Sequence, residues 1–145
     1  MISIKEIDHE DFELCFELDS NTICLWTKRQ WESEFKKSGV KVVAIFKGKK
    51  IVGVYVVHLI IDEVHINYFS IKKRYRRRGY GSYLMKYLIK ECKKLNIKKI
   101  LLEVSETNSI AEVFYSKFNF STVGRRKNYY KDGSDAVLKE KILLK

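Results

Sequence analysis

Ile71-Lys72-Lys73-Arg74-Tyr75-Arg76-Arg77-Arg78-Gly79-Tyr80-Gly81-Ser82 is the stretch that decides how this chain is read. Before it, residues 64–71 read as a strand. After it, Leu84, Leu88, Cys92 and Leu95, with Met85 and Ile89 beside them, recur at helical spacing, and Lys86, Lys90, Glu91, Lys93 and Lys94 take the other face. The stretch is therefore a strand-to-helix passage. Gly79 and Gly81, at i and i+2, let a ligand approach the backbone without a Cβ in the way. The first turn of a helix offers unpaired N–H groups and the positive end of its dipole. Together these predict an anion site suited to a pyrophosphate. The pattern lacks the Gly-Lys-Ser/Thr of a P-loop, and Leu84 stands where a dinucleotide fingerprint has its third glycine.

Working outward, residues 3–6 predict a short edge strand. Asp8 or Asp11 can cap a helix running to about Asp19, with Phe12, Cys15 and Phe16 on one stripe. A second helix, residues 27–37, presents Trp31 and Phe35 at i, i+4. Strands at 40–46, 51–61 and 64–71 are separated by turns at Lys47-Gly48-Lys49-Lys50 and Asp62-Glu63, which makes an antiparallel meander. The helix of residues 79–95 follows. Residues 100–104 then read as an apolar strand of the buried, parallel type. A short helix spans 108–117. Strands at 119–127 and 136–143 flank a polar loop with Lys131-Asp132-Gly133. The order β α α β β β α β α β β predicts an α/β or α+β fold with a mixed central sheet, in one domain over residues 1–145.

Composition narrows the function. Hydrophobic residues are 46% of the 145, which is enough to fill a core. No apolar run approaches the ~18 residues of a membrane span. No charged leader with an apolar stretch opens the chain, so no signal peptide is read. Cys15, Cys24 and Cys92 form no Cys-x-x-Cys pair, and His9, His58 and His65 show no ligand clustering. The expectation is a reduced, cytoplasmic protein without disulfide or metal. Charge is lopsided: residues 1–71 carry a net −2 and residues 72–145 a net +13, which together make the +11 of the chain. The basic half can simply solvate a surface, or it can attract nucleic acid, a membrane surface or a polyphosphate ligand. Six of the seven residues from Lys72 to Arg78 are basic. That charge serves nucleic acid and a coenzyme equally, and the glycines and following helix favour the coenzyme.

Two further residues stand out. Glu103 sits in Ile100-Leu101-Leu102-Glu103-Val104. A carboxyl in so apolar a strand is expected to be partly desolvated, with its pKa raised toward that of a usable base. On the next helix Tyr115 shares an angle with Asn108, seven residues back. Ile110, Val113 and Phe114 are expected to form the core stripe, leaving Tyr115 beside it as a possible acid.

Arg76-x-x-Gly79-x-Gly81, between a meander and an amphipathic helix, resembles motif A of the GNAT acetyltransferases. Leu102-Glu103-Val104, Asn108, Phe114-Tyr115-Ser116-Lys117-Phe118-Asn119-Phe120, Arg125-Arg126-Lys127-Asn128-Tyr129-Tyr130 and Asp132-Gly133-Ser134-Asp135-Ala136 are similar to the RimI branch of that family. Those enzymes are bacterial N-terminal alanine acetyltransferases of a small-subunit ribosomal protein. The resemblance implies a GNAT-like, mostly antiparallel mixed sheet flanked by helices, and acetyl-coenzyme A as cosubstrate. It implies Glu103 as general base and Tyr115 as general acid. It implies coenzyme contacts at Asn108, along Phe69, Ser70 and Ile71, and along Arg76, Arg77, Arg78, Gly79, Tyr80, Gly81 and Ser82. The branch usually has Arg where Ser105 stands, Gly at Asn119, Pro at Leu25 and a proline after the strand ending at Ile71.

The reaction so implied is direct transfer of acetyl from a thioester to an amine. An α-amine, with pKa ~7.7–8.0, asks less of its base than a lysine near ~10.4. Other acceptors remain open: polyamines, lysine side chains or an aminoglycoside. A rival from another class is a basic protein docking on ribosomal RNA through Lys72–Arg78 and Arg125–Lys127.

Overall fold

The computed structural model describes residues 1–143. Strand β1 (Ile2–Ile7) leads through a 3-10 turn into helices α1 (Phe12–Ser20) and α2 (Lys28–Lys36). The meander is β2 (Val40–Lys47), β3 (Lys50–Ile60) and β4 (Glu63–Ile71). Then come α3 (Tyr80–Lys94), β5 (Lys99–Ser105), α4 (Ser109–Lys117), β6 (Ser121–Arg126) and β7 (Ala136–Ile142). One seven-stranded sheet runs in the order β1-β2-β3-β4-β5-β7-β6. Every neighbouring pair is antiparallel except β4 and β5.

Local signals place the helices. Thr27 accepts from the Gln30 amide while the Gln30 side chain accepts from the Thr27 amide, a reciprocal cap that starts α2. Asp8 caps the 3-10 turn through Glu10, and Asp11, at the start of α1, makes no capping bond. Helices α1 and α2 cover one sheet face, where Leu18 and Trp31 pack on Val42, Val54 and Val56. Helices α3 and α4 cover the other, where Leu84, Met85 and Leu88 pack on Val43, Tyr55 and Ile100. Each such fully buried side chain contributes ~1.5–3 kcal/mol relative to exposure.

Two irregularities shape the centre of the sheet. Val56 faces Tyr68 and Val57 faces Ile66, so Asn67 is an extra residue in β4. A one-residue bulge swaps the faces of the strand beyond it. Val64 and Ile66 point toward α3, and after the bulge so do Phe69 and Ile71, while Tyr68 joins the α1/α2 core. Second, β4 and β5 pair only from Glu63 with Lys99 to Ile66 with Leu102. Beyond that point β4 stays with β3 as far as Ile71, and β5 stays with β7 as far as Ser105. The two central strands part, leaving a slot through the sheet.

The sequence expectations need two corrections. Strand β5 is not buried on both faces: Ile100, Leu102 and Val104 enter the core, and Glu103 lies on the open face. On α4, Ile110 and Val113 are 76% and 59% exposed, and Tyr115 is buried. The inward face is Ala111, Phe114, Tyr115 and Phe118, a rotation of about one residue, or ~100°, from the expected stripe. The aromatic rings at 114, 115 and 118 have Phe69 and Phe120 to pack against, and their larger burial decides the orientation.

Candidate active site

The slot has a different character on each face. On the α3/α4 side it begins with the backbone of β4. The Lys72 amide bonds the Val52 carbonyl at 2.8 Å. Antiparallel pairing alternates, so the residue pairs next along, Ile71 with Gly53 and Phe69 with Tyr55, turn their N–H and C=O groups away from β3. The amides of Phe69 and Ile71 therefore point into the slot. The Arg76 side chain folds back and donates from Nε to the Ile71 carbonyl at 3.0 Å. Arg76 is thus a brace for the loop. Ser70 faces away from this side, donating to the Tyr68 hydroxyl at 2.9 Å.

The loop then climbs to α3. Arg77 and Gly79 both have left-handed backbone, φ 63° and 87°. At Gly79 this is a conformation that side chains resist. The first helical bond runs from the Tyr83 amide to the Gly79 carbonyl at 3.0 Å. The amides of Tyr80, Gly81 and Ser82 precede it and have no backbone acceptor among the described residues, so they form a positive cluster at the helix start. Tyr80 itself is buried, edge-on to Tyr75 at 5.8 Å, which anchors the turn. A Cβ on Gly81 would stand 3.3 Å from Phe114, so that glycine also lets α3 and α4 approach. Lys73, Arg74, Arg77 and Arg78 are exposed around the cradle.

Tyr115 closes this side. Its ring meets Phe69 at 6.5 Å, Phe114 at 5.4 Å and Phe120 at 5.5 Å. Burial raises the phenol above its ordinary range, so it is protonated at all working pH values. Its hydroxyl has no hydrogen-bond partner among the described residues, and no enclosed polar side-chain atom there lacks one. The hydroxyl therefore opens to accessible space. Asn108 caps α4, its Oδ1 accepting from the Ala111 amide at 3.1 Å.

Glu103 belongs to the opposite face, because its strand neighbours Leu102 and Val104 point toward α3 and α4. Its side chain is about one-third exposed and pairs with Arg126 Nε at 3.2 Å. The carboxylate thus stands on the open face of β5 with a cation beside it, and not in the apolar core that Leu102 and Val104 enter. Tyr130 lies close by: burial, and then the charge of Glu103, push its phenol up. The loop bearing Tyr130 is tied down by carboxylates. Asp135 accepts from the Asn128 amide at 3.0 Å and from Arg125 at 3.1 Å, and Glu106 accepts from the Asp135 amide. Asp132 accepts from the Ser134 amide at 2.9 Å. The sequence alone does not single out Tyr130 and Arg126 as site residues. Their signal is the Arg-Arg-Lys-Asn-Tyr-Tyr run, whose fold back onto Glu103 is a tertiary event.

Burial raises the thiols of Cys15 and Cys92 to about 12 and about 11, which removes both as nucleophiles at neutral pH. Among the described residues, no three His, Cys, Asp or Glu side chains gather as a metal site. No helix there is long and apolar enough to cross a membrane.

A model of the acetyltransferase (GNAT) family matches residues 2–120. The chain belongs to the GNAT acetyltransferase family. It is an acyltransferase whose donor is acetyl-coenzyme A. This GNAT chain is 27% identical over 139 residues to the putative [ribosomal protein bS18]-alanine N-acetyltransferase of Bacillus subtilis, spanning 94% of this chain and 92% of that one. It is 28% identical over 131 residues to the [ribosomal protein bS18]-alanine N-acetyltransferase of Haemophilus influenzae, spanning 90% and 88%. The crystal structure of the ribosomal-protein-S18-alanine N-acetyltransferase from Escherichia coli superposes with a TM-score of 0.90 at 22% identity, covering 97% of this chain and 92% of that one. Arabidopsis thaliana NAA60, solved with acetyl-CoA, superposes with a TM-score of 0.86 at 15% identity, covering 99% of each. These two likenesses establish the shared GNAT fold. The α3 side of the slot suits the family's donor: free amides and basic side chains can hold its phosphates, and the inward amides of β4 can meet its acyl arm.

Proposed function

We propose that this GNAT enzyme acetylates the N-terminal α-amine of a ribosomal protein, an alanine amine of the bS18 type, by direct transfer in the cytoplasm. The full-length similarity to two enzymes named for that reaction supports the acceptor. The observation that carries the chemistry is the division of the slot: Glu103 stands on one face, and the amide cradle with Tyr115 on the other.

Acetyl-coenzyme A supplies an acetyl thioester that is already activated. The chain's residues do the rest. The amides of Tyr80, Gly81 and Ser82 hold the diphosphate. The inward amides of Phe69 and Ile71 polarise the acyl carbonyl, where an oxyanion develops. Glu103 takes the amine's proton, directly or through water. An α-amine near ~7.7–8.0 is already partly neutral at pH 7, so it asks less of its base than a lysine near ~10.4 does, and the exposure of Glu103 is no obstacle. Tyr115 donates a hydrogen bond at the leaving sulfur. A phenol raised above ~10 does not give up its proton outright to a thiolate whose thiol titrates near ~8.5, so its contribution is the hydrogen bond itself.

Intact-mass analysis of synthetic peptides after incubation with acetyl-coenzyme A tests this reading. A peptide beginning with Ala should gain one acetyl group, and the same peptide with a blocked N-terminus should gain none. Acetylation of internal lysines, or of spermidine in place of the Ala peptide, would overturn the acceptor assignment.

A further inference from the structure

Asp19 is wholly buried at the end of α1 and has no part in the transfer chemistry. Burying a carboxylate is costly unless it is fully compensated. No cation pairs with it among the described residues. Four neutral donors compensate it instead. Oδ1 accepts from the Leu25 amide at 3.0 Å and the Tyr68 hydroxyl at 2.9 Å. Oδ2 accepts from the Trp26 amide at 2.9 Å and the Trp31 indole at 2.9 Å. Hydrogen bonds to a charged acceptor are the stronger kind, and these four come from three separate elements.

The position of these donors gives the network its meaning. Residues 21–27 join α1 to α2 without regular structure, so Asp19 fixes the path of Leu25 and Trp26. Tyr68 lies on β4 beyond Ile66, where β5 has already left, and it faces the α1/α2 side. Ser70 donates to the Tyr68 hydroxyl and extends the chain of bonds to the segment bearing the inward amides. The connection is therefore pinned beside the slot on the face that carries Glu103. It presents Leu25, half exposed, and the Trp26 ring, 5.5 Å from Tyr68.

We propose that Asp19 is a positioning residue for the acceptor: it holds Leu25 and Trp26 as a preformed apolar wall for the first side chain of an incoming chain N-terminus. This rests on the reading of the enzyme as an N-terminal acetyltransferase. A small apolar first residue such as alanine fits an apolar wall next to a carboxylate that receives the amine.

The test compares wild type with Asp19→Asn and Tyr68→Phe. Asn keeps the size but turns an NH2 toward two of the donors, and Phe removes only the link to β4. The peptide beginning with Ala should show KM raised by about tenfold or more in Asp19→Asn, with kcat and the acetyl-coenzyme A Kd within about twofold. Tyr68→Phe should show a smaller rise in the same direction. Amides of Leu25 and Trp26 should exchange slowly in wild type and fast in Asp19→Asn. An unchanged peptide KM in both variants overturns the proposal, and so does a parallel loss of coenzyme affinity, which is the mark of a merely structural residue. If Asp19→Asn fails to fold, Tyr68→Phe decides alone. If wild type ignores the Ala peptide but acetylates another amine, the acceptor reading falls, and KM for that amine decides the role of Asp19. If wild type acetylates nothing tested, fast exchange of the two amides in wild type overturns the proposal and slow exchange supports it.

Discussion

The two faces of the slot are assembled in opposite ways. On the α3/α4 side, the cradle comes from consecutive backbone: β4, the loop with its left-handed Arg77 and Gly79, and the free amides at the start of α3. On the other side, Asp19, Trp26, Glu103, Arg126 and Tyr130 come from four separate stretches, with the Asp19 carboxylate holding the Trp26 amide, and Arg126 and Tyr130 gathered around the Glu103 carboxylate. A site made of backbone constrains conformation, so it leaves a short motif of glycines. A site made of distant side chains constrains only contacts, so it leaves none. Donor binding and acceptor binding should accordingly be separable by mutation.

The largest expected effect breaks the chemistry and spares both faces. Glu103→Gln keeps the shape and deletes the base, so turnover should fall by ~10²–10⁴-fold. Acetyl-coenzyme A affinity, measured by calorimetry, should be unchanged. Near-normal turnover at neutral pH would make Glu103 only a partner for Arg126.

Next comes Tyr115→Phe. It removes one hydroxyl that has no partner in the described structure, so thermal unfolding should be unaltered. Loss of the hydrogen bond at the leaving sulfur should slow single-turnover acetylation by about 10²-fold, the low end for removing one preorganised donor at a developing charge. A Phe variant as fast as wild type would reduce Tyr115 to packing against Phe69 and Phe120.

The donor face is tested by Gly79→Val. Left-handed backbone costs a side chain ~1–2 kcal/mol, and more for a β-branched one. Space is not the obstacle, since the nearest atom to a Cβ is in Tyr83 at 3.9 Å. The variant should fold, and its acetyl-coenzyme A Kd should rise by about tenfold, with peptide KM little changed. A parallel rise in both constants would collapse the distinction between the faces.

The smallest effect concerns pH on the acceptor side. The Asn128 amide, and then Arg125, hold the Asp135 carboxyl below its ordinary 3.8. A depressed carboxyl contributes stability above the unfolded value and loses it as pH falls through the folded one. The loop of Tyr130 should thus be unchanged from neutral pH down to about 5 and loosen only below about 4. Hydrogen exchange at Asn128 checks this, and loosening already at pH 6 would contradict it.

Local patterns carried the elements, because caps, turns and periodicity act within a few residues. The Lys47–Lys50 turn and the stripe of α3 as far as Cys92 appear where the sequence places them, while Leu95, expected on that stripe, caps the helix and is 52% exposed. Orientation was harder. Nine residues make α4 only two and a half turns, with apolar side chains on two stripes, and only Phe69 and Phe120 across the core choose between them. Glu103 looked buried because Leu101 and Leu102 precede it. Its exposure follows from the parting of β4 and β5 and from the open face of the sheet there. The sequence marks Asp19 only as the end of a helix, and its enclosure by donors from the connection, from α2 and from β4 depends on how those segments pack.

The sequence by itself determined the order of elements and the glycine-bearing passage from β4 into α3, because each depends on backbone conformation within a short window. The tertiary structure alone decided which face each group occupies. The Asn67 bulge swaps the faces of β4, and the parting of β4 from β5 opens the sheet between Glu103 on one side and Tyr115 on the other. Those outcomes are set by pairing and packing between segments far apart in the chain, and no local pattern encodes them.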